Sequence, residues 1–443
     1  MGNSSTALTP DNTAPTQLPA GPAMRQPEPR ASVAHQGRRK LIFISHRIPY
    51  PLTKGEKIRG YNLITHFAKS YDVYLGCLID DATDWEHVAH LRTICTEVAA
   101  FGIDKRRQKL KALAHIRPGQ PLMTDYYSHP GLRDWVDATM ARVNMDIIYI
   151  YSAAMAPYAL HLDRPGKILD MQDIDSEKWA LYARQSRWPM RAVWAREART
   201  LLAYERRAAM ACDATFFVTE AETRRFAELA PETADRLTWI EMGVDLERFS
   251  PSISFPSPFV GDGPHLVFTG NMDYWPNADA VIWFADQVLP LIRRRRADAQ
   301  FHIVGNNPGP DVLRLRRLPG VNVTGRVPDV RPYVAHADVS VSPLRMARGV
   351  QNKVLEAMAM GRPVVATPQA FEGVRALAGR DLLVADGAEE TARTVLDVVD
   401  GRHPTLGASG RQAVERGYAW SGILQKLDMY LERSAADIPT DTG

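Results

Sequence analysis

Lys353 and Glu356 stand three residues apart at the head of an apolar stretch, within Arg348-Gly349-Val350-Gln351-Asn352-Lys353-Val354-Leu355-Glu356-Ala357-Met358-Ala359-Met360-Gly361-Arg362-Pro363-Val364-Val365. The pattern reads as a loop, a helix, a glycine stop and a strand. A helix N-terminus preceded by glycine presents free backbone N–H groups and the positive end of the helix dipole, which together favour a phosphate. Lys353 falls in the first turn and adds a point charge. Glu356 lies on the same helix face, where a carboxylate can accept two hydrogen bonds from a ribose diol. Phosphate and ribose recognition within one turn points to a nucleotide. An ordinary Lys–Glu pair on a surface helix has the same spacing, so spacing alone leaves both readings open.

A second polar segment, Leu169-Asp170-Met171-Gln172-Asp173-Ile174-Asp175-Ser176-Glu177, places three aspartates after an apolar run. Carboxylates there can position a hydroxyl or take its proton. The spacing is also oxygen-rich enough for a metal, and Asp175 or Ser176 can cap a helix. Asp173 is the expected acceptor-side residue, with Asp175 a cap or second candidate. Pro49-Tyr50-Pro51-Leu52-Thr53-Lys54-Gly55-Glu56-Lys57-Ile58-Arg59 follows the first apolar run. Gly55 permits close backbone approach, and the helix behind it supplies N–H donors. Lys54 and Arg59 are candidate phosphate or acceptor contacts, and each also fits as a solvated charge. His46 sits where ligands of open α/β sheets bind, although a lone histidine is more often structural.

The elements that must position these residues alternate along the chain. Leu41-Ile42-Phe43-Ile44-Ser45 is a short apolar run of the kind that forms a buried parallel strand. Further strands are expected at 73–79, 146–151, 167–171 and 214–219, with helices at 84–95, capped near Asp84, and at 188–210. A second series holds strands at 265–270, 300–304, 321–324, 339–343 and 363–367, with helices at 279–295 and 352–360. Strands alternating with helices predict parallel sheets covered on both faces. Residues 250–264 contain four prolines and join the two series. The expected organisation is a disordered tail at 1–38, rich in proline and without aromatics, a Rossmann-like domain at 39–250 and a second at 251–402. A helical segment is expected at 403–432 and a flexible tail at 433–443.

With 443 residues, 45% hydrophobic and 24% charged, the chain has ordinary globular composition and length for two cores. A net charge of +3 is too small to argue for nucleic acid as a partner. Three widely spaced cysteines with no CxxC pair argue against a disulfide framework or a zinc site and fit a reducing compartment. No run of about 18 apolar residues is present to span a membrane. Residues 105–117 hold six Lys or Arg and no acid, with Leu110, Leu113 and Ile116 at helical spacing. That suits an interfacial helix on anionic lipid. Trp188 and Trp194 with Arg187, Arg191, Arg196 and Arg199 form a second basic, aromatic stretch. Both stretches also fit a solvated helix face over a core stripe.

The 348–365 segment resembles the donor-site motif of retaining glycosyltransferase family 4. So do Thr269-Gly270-Asn271-Met272-Asp273-Tyr274-Trp275-Pro276-Asn277, Val304-Gly305, Gly325-Arg326-Val327-Pro328-Asp329-Val330 and Met242-Gly243-Val244-Asp245. More narrowly, the chain is similar to bacterial sugar transferases of exopolysaccharide and exosortase systems, from about residue 41 to 430. The resemblance implies a GT-B fold, that is, α/β with two Rossmann-like doubly wound domains facing across a cleft. It implies a nucleoside-diphosphate sugar as donor, a saccharide or lipid-linked saccharide as acceptor, retention of configuration, and no metal or other cofactor. Glu356 matches the ribose-binding glutamate of the family. The family's first glutamate, on the donor sugar, is replaced by Arg348, which pairs with an acidic sugar or phosphate if it keeps a role. The usual Arg and Lys after the first strand of the donor domain are absent from the loop following Gly270. Weight for the diphosphate therefore shifts to Lys353 and the Gly349 loop. Gly55 matches the glycine loop facing the phosphates, and Arg326 is a candidate nucleotide contact. Asp173, Lys353 and Glu356 are the expected catalytic residues. The expected setting is cytoplasmic, with contact at the inner membrane face. A nucleotide-sugar epimerase or hydrolase of the same architecture and a non-catalytic nucleotide-sugar binder are the alternatives.

Overall fold

The computed structural model describes residues 37–52, 54–114, 119–347 and 349–436, with 432–436 by backbone alone. The tail expected at 1–38, but for residues 37 and 38, lies outside the described residues, as do 437–443, Arg348, Ile116 and Arg117; residues 433–436, expected in the flexible tail, are helical.

Seven strands form the first sheet: β1 (Arg39–Ser45), β2 (Tyr71–Ile79), β3 (Glu97–Gly102), β4 (Ile147–Tyr151), β5 (Gly166–Gln172), β6 (Ala214–Phe217) and β7 (Leu237–Trp239). All pairs are parallel, in the order β3-β2-β1-β4-β5-β6-β7. Six strands form the second: β8 (His265–Thr269), β9 (Gln300–Val304), β10 (Val321–Gly325), β11 (Val339–Ser342), β12 (Val364–Ala366) and β13 (Leu383–Val384). Its order is β10-β9-β8-β11-β12-β13, again parallel. Both are doubly wound, so each order reverses once, between β1 and β4 and between β8 and β11. At such a switch point, loops leaving the two strand ends diverge and open a crevice.

The helices that matter for the site are α1 (Gly55–Ser70), α2 (Lys105–Ala114), α3 (Leu122–Tyr126), α4 (Asp175–Gln185), α5 (Met190–Met210), α6 (Glu220–Leu229), α7 (Trp275–Trp283), α8 (Asn352–Ala359) and α9 (Trp420–Ala436). Burial on both faces explains the unbroken apolar strands. In β1, Leu41 and Phe43 enter a core layer with Phe67 of α1, while Ile42 and Ile44 enter the opposite layer with Leu201 and Tyr204 of α5. Each fully buried side chain of this kind contributes about 1.5–3 kcal/mol. The second domain has its own core around Phe268, Phe284, Phe301 and Leu355.

The chain crosses between the domains twice. The first crossing runs through Glu241-Met242-Gly243-Val244. The second ends in α9, which buries Trp420, Ile423, Leu424, Leu427 and Leu431 in the first core. The crossings brace each other: Val244 N–H donates to the Tyr418 carbonyl at 2.8 Å, and Gly243 lies so close under the Trp420 indole that a Cβ would collide with it.

Several expectations need correcting. Residues 84–95 are not one helix. Asp81, not Asp84, caps a short turn over Ala82–His87, and Asp84 forms a buried ion pair with Lys57 at 2.6 Å. The helix expected at 279–295 starts earlier, at Trp275, where Pro276 is pre-set for a first turn, and widens into a π turn over Phe284–Val288. Strands β3, β7 and β13 lack the apolar run that marks the others, and each is held by its neighbour in the sheet rather than by its own pattern. All three cysteines are buried and free.

Candidate functional site

The crevice at the β8/β11 switch point receives the first turn of α8. Gln351, in extended conformation, precedes the helix, and Gly349 before it adopts φ +66°, the left-handed region that glycine enters at little cost. As the first residues of the helix, Asn352 and Lys353 have N–H groups with no intrahelical acceptor. Lys353 Nζ donates to Asn277 Oδ1 at 3.2 Å and lies 5.3 Å from the centre of the Phe268 ring. Asn277, 5% exposed, in turn donates its Nδ2 to the Asn271 carbonyl at 2.8 Å. Lys353 is thereby tethered to the loop that follows β8. Gly270 opens that loop, and a Cβ there would come within 2.8 Å of the Asn277 amide.

Lys353 and Glu356 are half-buried, with head groups enclosed by the cleft walls. Desolvation lowers the Lys353 pKa to about 8, against the pull of Glu356. Desolvation raises that of Glu356 to about 7, opposed by Lys353 and then by Arg248. Two groups driven toward neutrality from opposite sides by burial in one crevice make this a candidate site for a charged ligand. Arg248 follows the first crossing between domains, and its carbonyl accepts from Arg331, which is itself paired with Asp329. Arg326 is exposed at the end of β10, on the same rim.

Across the cleft, the first domain presents two loops to α8. The start of α1 approaches so closely that a Cβ on Gly55 would lie 3.2 Å from Asn352 Nδ2. The loop after β5 brings Asp173 Oδ1 to 3.4 Å from the corresponding position on Gly349. Gly55, Gly349, Asp173 and the head of α8 are therefore one constellation. Gln172 before it holds φ +68°, a strained conformation for a non-glycine residue. Asp173 lies beside Glu222 in the first turn of α6. Desolvation raises its proton affinity, while neighbouring Glu222 and then Lys178 lower it. Asp175 is the first residue of α4 rather than its cap, and desolvation raises it to about 6, opposed by Lys178. Beneath it, Ser176 donates its N–H and its hydroxyl to the buried Glu205 at 3.1 and 2.5 Å, and burial lifts Glu205 to about 8.

Arg59 and Asp170 do not face the cleft. Arg59 is 1% exposed, donates from Nε to Asp170 Oδ2 at 3.0 Å, and also donates to the carbonyls of Ile240 and Glu241. Asp170 further accepts from Tyr149 Oη at 2.8 Å. The pair welds α1 to the ends of β5 and β7, so neither the solvated-charge nor the ligand-contact expectation for Arg59 holds. With Asp170 turned inward, the three aspartates do not converge, and among the described residues no three His, Cys, Asp or Glu side chains group as metal ligands. His46 is buried at the end of β1 against Tyr151 and Tyr127, and burial lowers it to about 4. Lys54 remains half-buried at the head of α1. Asn277, Arg248, Glu222 and Glu205 join the site without any sequence signal of their own, except that Asn277 ends the 269–277 segment.

Beside this constellation lies an interdomain cavity of about 730 Å³, bordered by Gly349 and Arg375 on one side and Glu177, Leu181, Arg184 and Glu222 on the other. Its lining includes Glu222, the neighbour of Asp173, but not Asp173, Lys353 or Glu356 themselves.

Residues 263–400 match the profile of the family described as glycosyl transferases group 1. Curated protein sequences give no match. Among solved structures, a sucrose-phosphate synthase from Thermosynechococcus elongatus superposes with a TM-score of 0.66 at 18% identity, over 90% of this chain and 100% of that one. HepE of Anabaena, in complex with UDP-glucose, gives 0.62 at 15% identity, over 89% and 99%. A glycosyltransferase from Rickettsia africae gives 0.62 at 13%, over 90% and 100%. At these identities the likeness is one of fold: two parallel-sheet, Rossmann-like domains in the GT-B arrangement.

Proposed function

We propose that this protein is a metal-independent, retaining glycosyltransferase that moves a sugar from a nucleoside-diphosphate sugar to a saccharide or lipid-linked saccharide. The observation that carries the reading is the head of α8. Lys353, Glu356 and the free N–H groups of a helix N-terminus meet at a switch point, inside the segment that matches the glycosyl transferase profile, and face Gly55 and Asp173 across the cleft. The second domain, 251–402, binds the donor and the first, 39–250, the acceptor. Glu356 accepts from the ribose hydroxyls. Gly55, Gly270, Gly349 and Arg326 border the donor, Arg348 is kept as a donor contact on its sequence position alone, and HepE, whose structure holds UDP-glucose, supports a donor of this class. The bond from the anomeric carbon to the diphosphate oxygen breaks as a bond from that carbon to the acceptor oxygen forms on the same face. Negative charge grows on the leaving diphosphate, where Lys353 and the N–H groups of α8 stabilise it. Asp173 receives the acceptor hydroxyl proton, a role suited to a carboxylate whose proton affinity is raised. No cofactor takes part. The setting we favour is exopolysaccharide synthesis at the cytoplasmic face of the inner membrane.

The test is calorimetry across a panel of nucleoside-diphosphate sugars, followed by turnover with saccharide acceptors. Binding, with product formed only when acceptor is present, is the expected outcome. Free nucleotide and sugar released at the same rate without acceptor would favour a hydrolase. Tight binding without turnover would favour a nucleotide-sugar sensor.

A further inference from the structure

Helix α4 begins at the acidic acceptor loop and ends at an exposed apolar tip. Its Glu177, Leu181 and Arg184 line the interdomain cavity, and its last residue, Gln185, donates to Met346 Sδ at 3.1 Å. The chain then turns through Arg187-Trp188-Pro189-Met190-Arg191 and returns as α5. Trp188 is 83% exposed and Met190 42%. This tip is carried on a braced hairpin: Trp179 stacks on Trp194 with ring centres 4.8 Å apart, and Ser176 is latched to Glu205 at the base. Arg187 and Arg191 flank the tip and are exposed, whereas Arg184 lines the cavity and Arg196 is committed to the Gln120 carbonyl at 3.1 Å and to Glu197. A large indole held out on a rigid support amid cations is unfavourable in water. It suits the headgroup layer of an anionic bilayer, where an amphipathic ring finds both apolar and polar neighbours and arginines meet lipid phosphates.

We propose that the α4–α5 tip docks on an anionic lipid surface, so that α4, about 16 Å long, leads from that surface along the cavity wall to Asp173. This rests on the transferase reading above and names the source of its acceptor: a molecule anchored in the bilayer. It sets a second surface beside the membrane contact expected for residues 105–117, and the experiment below compares the two. Within α2, Leu110 and Leu113 are exposed at 68% and 52% rather than packed on a core. Two of its cations, however, are committed to the fold, Lys105 to Asp80 at 3.4 Å and Lys111 to the Ser128 carbonyl at 3.2 Å.

The experiment is co-sedimentation of the full-length protein with phosphatidylcholine vesicles, with and without phosphatidylglycerol, at low and high salt. The parent should bind only the phosphatidylglycerol vesicles, and less at high salt. Trp188→Ser with Met190→Ser, and separately Arg187→Gln with Arg191→Gln, should each weaken partitioning by roughly tenfold or more. Trp188→Phe should keep most of it, and Arg106→Gln with Lys109→Gln on α2 should matter less than threefold, or about 0.6 kcal/mol. A parent that ignores anionic vesicles, tip variants that bind like the parent, or loss confined to the α2 variant would overturn the proposal. Calorimetry with nucleoside diphosphate on the same samples keeps the two readings apart. Unchanged nucleotide binding in the tip variants shows an intact fold, while a parent that binds vesicles but no nucleotide would refute the transferase reading alone.

Discussion

Replacing Glu356 by Gln separates a ligand-binding role from a structural one, because the two roles give effects of opposite sign. Gln keeps the shape of the side chain but not its charge. If the carboxylate accepts from two ribose hydroxyls, the loss is that of charge-assisted hydrogen bonds, about 1.5–3 kcal/mol, which is roughly ten- to hundredfold in nucleoside-diphosphate affinity. Stability should move the other way. Burial raises the carboxyl from its ordinary 4.5 to about 7, so the folded state loses stability as pH climbs through that interval, where the unfolded chain has already ionised. The gap corresponds to about 3 kcal/mol. Because the side chain is half-exposed to the cleft, solvent screening leaves on the order of 1 kcal/mol. Above pH 8 Lys353 is itself largely neutral and no longer compensates. The variant measured at pH 9 without ligand should therefore melt at the same temperature as the parent or higher, and at pH 7.5 should bind nucleotide more weakly by calorimetry. If Glu356→Gln binds nucleotide as tightly as the parent, the ribose assignment is wrong. If it binds weakly and also melts well below the parent, the carboxylate holds the fold and the weak binding is secondary.

Lys353→Met should lower turnover more than nucleotide affinity, because the charge it meets grows as the sugar leaves; equal losses in kcat and in affinity would remove it from the leaving-group role. Nucleotide affinity should rise through pH 7 as Glu356 ionises and fall through pH 8 as Lys353 loses its proton. Calorimetry across pH should show Glu356→Gln abolishing the acid limb and Lys353→Met the alkaline limb. Arg59→Met leaves Asp170 buried without its cation and should cost about 3–5 kcal/mol in urea unfolding; a loss of nucleotide affinity with unchanged stability would instead return Arg59 to the ligand. Activity should persist in EDTA, and complete loss restored by magnesium or manganese would sink the metal-independent mechanism.

What the sequence determines by itself is local. The uninterrupted apolar run at Leu41-Ile42-Phe43-Ile44 can be stable only with both faces covered, and the structure covers both. Glycine, helix-forming residues, glycine and strand in succession from Gly349 to Val365 define the phosphate-ready helix, and the i, i+3 spacing puts Lys353 and Glu356 on one face whatever surrounds them. Periodicity and backbone preference act over a few residues, and these features need no more. The partners of a charge lie beyond that range. Lys57 and Arg59 have the same local look as Lys54, yet Asp84 and Asp170, 27 and 111 residues away, draw both into the core. Asp173 and Gly349 meet only because two separately folded sheets are pinned by the crossings at Gly243 and Tyr418. Asn277 becomes the tether of Lys353, and Glu222 the partner of Asp173, through sheet order and domain closure. The proton affinities of Lys353 and Glu356 are likewise a property of the closed cleft, since desolvation needs walls that no neighbouring residue in the chain provides.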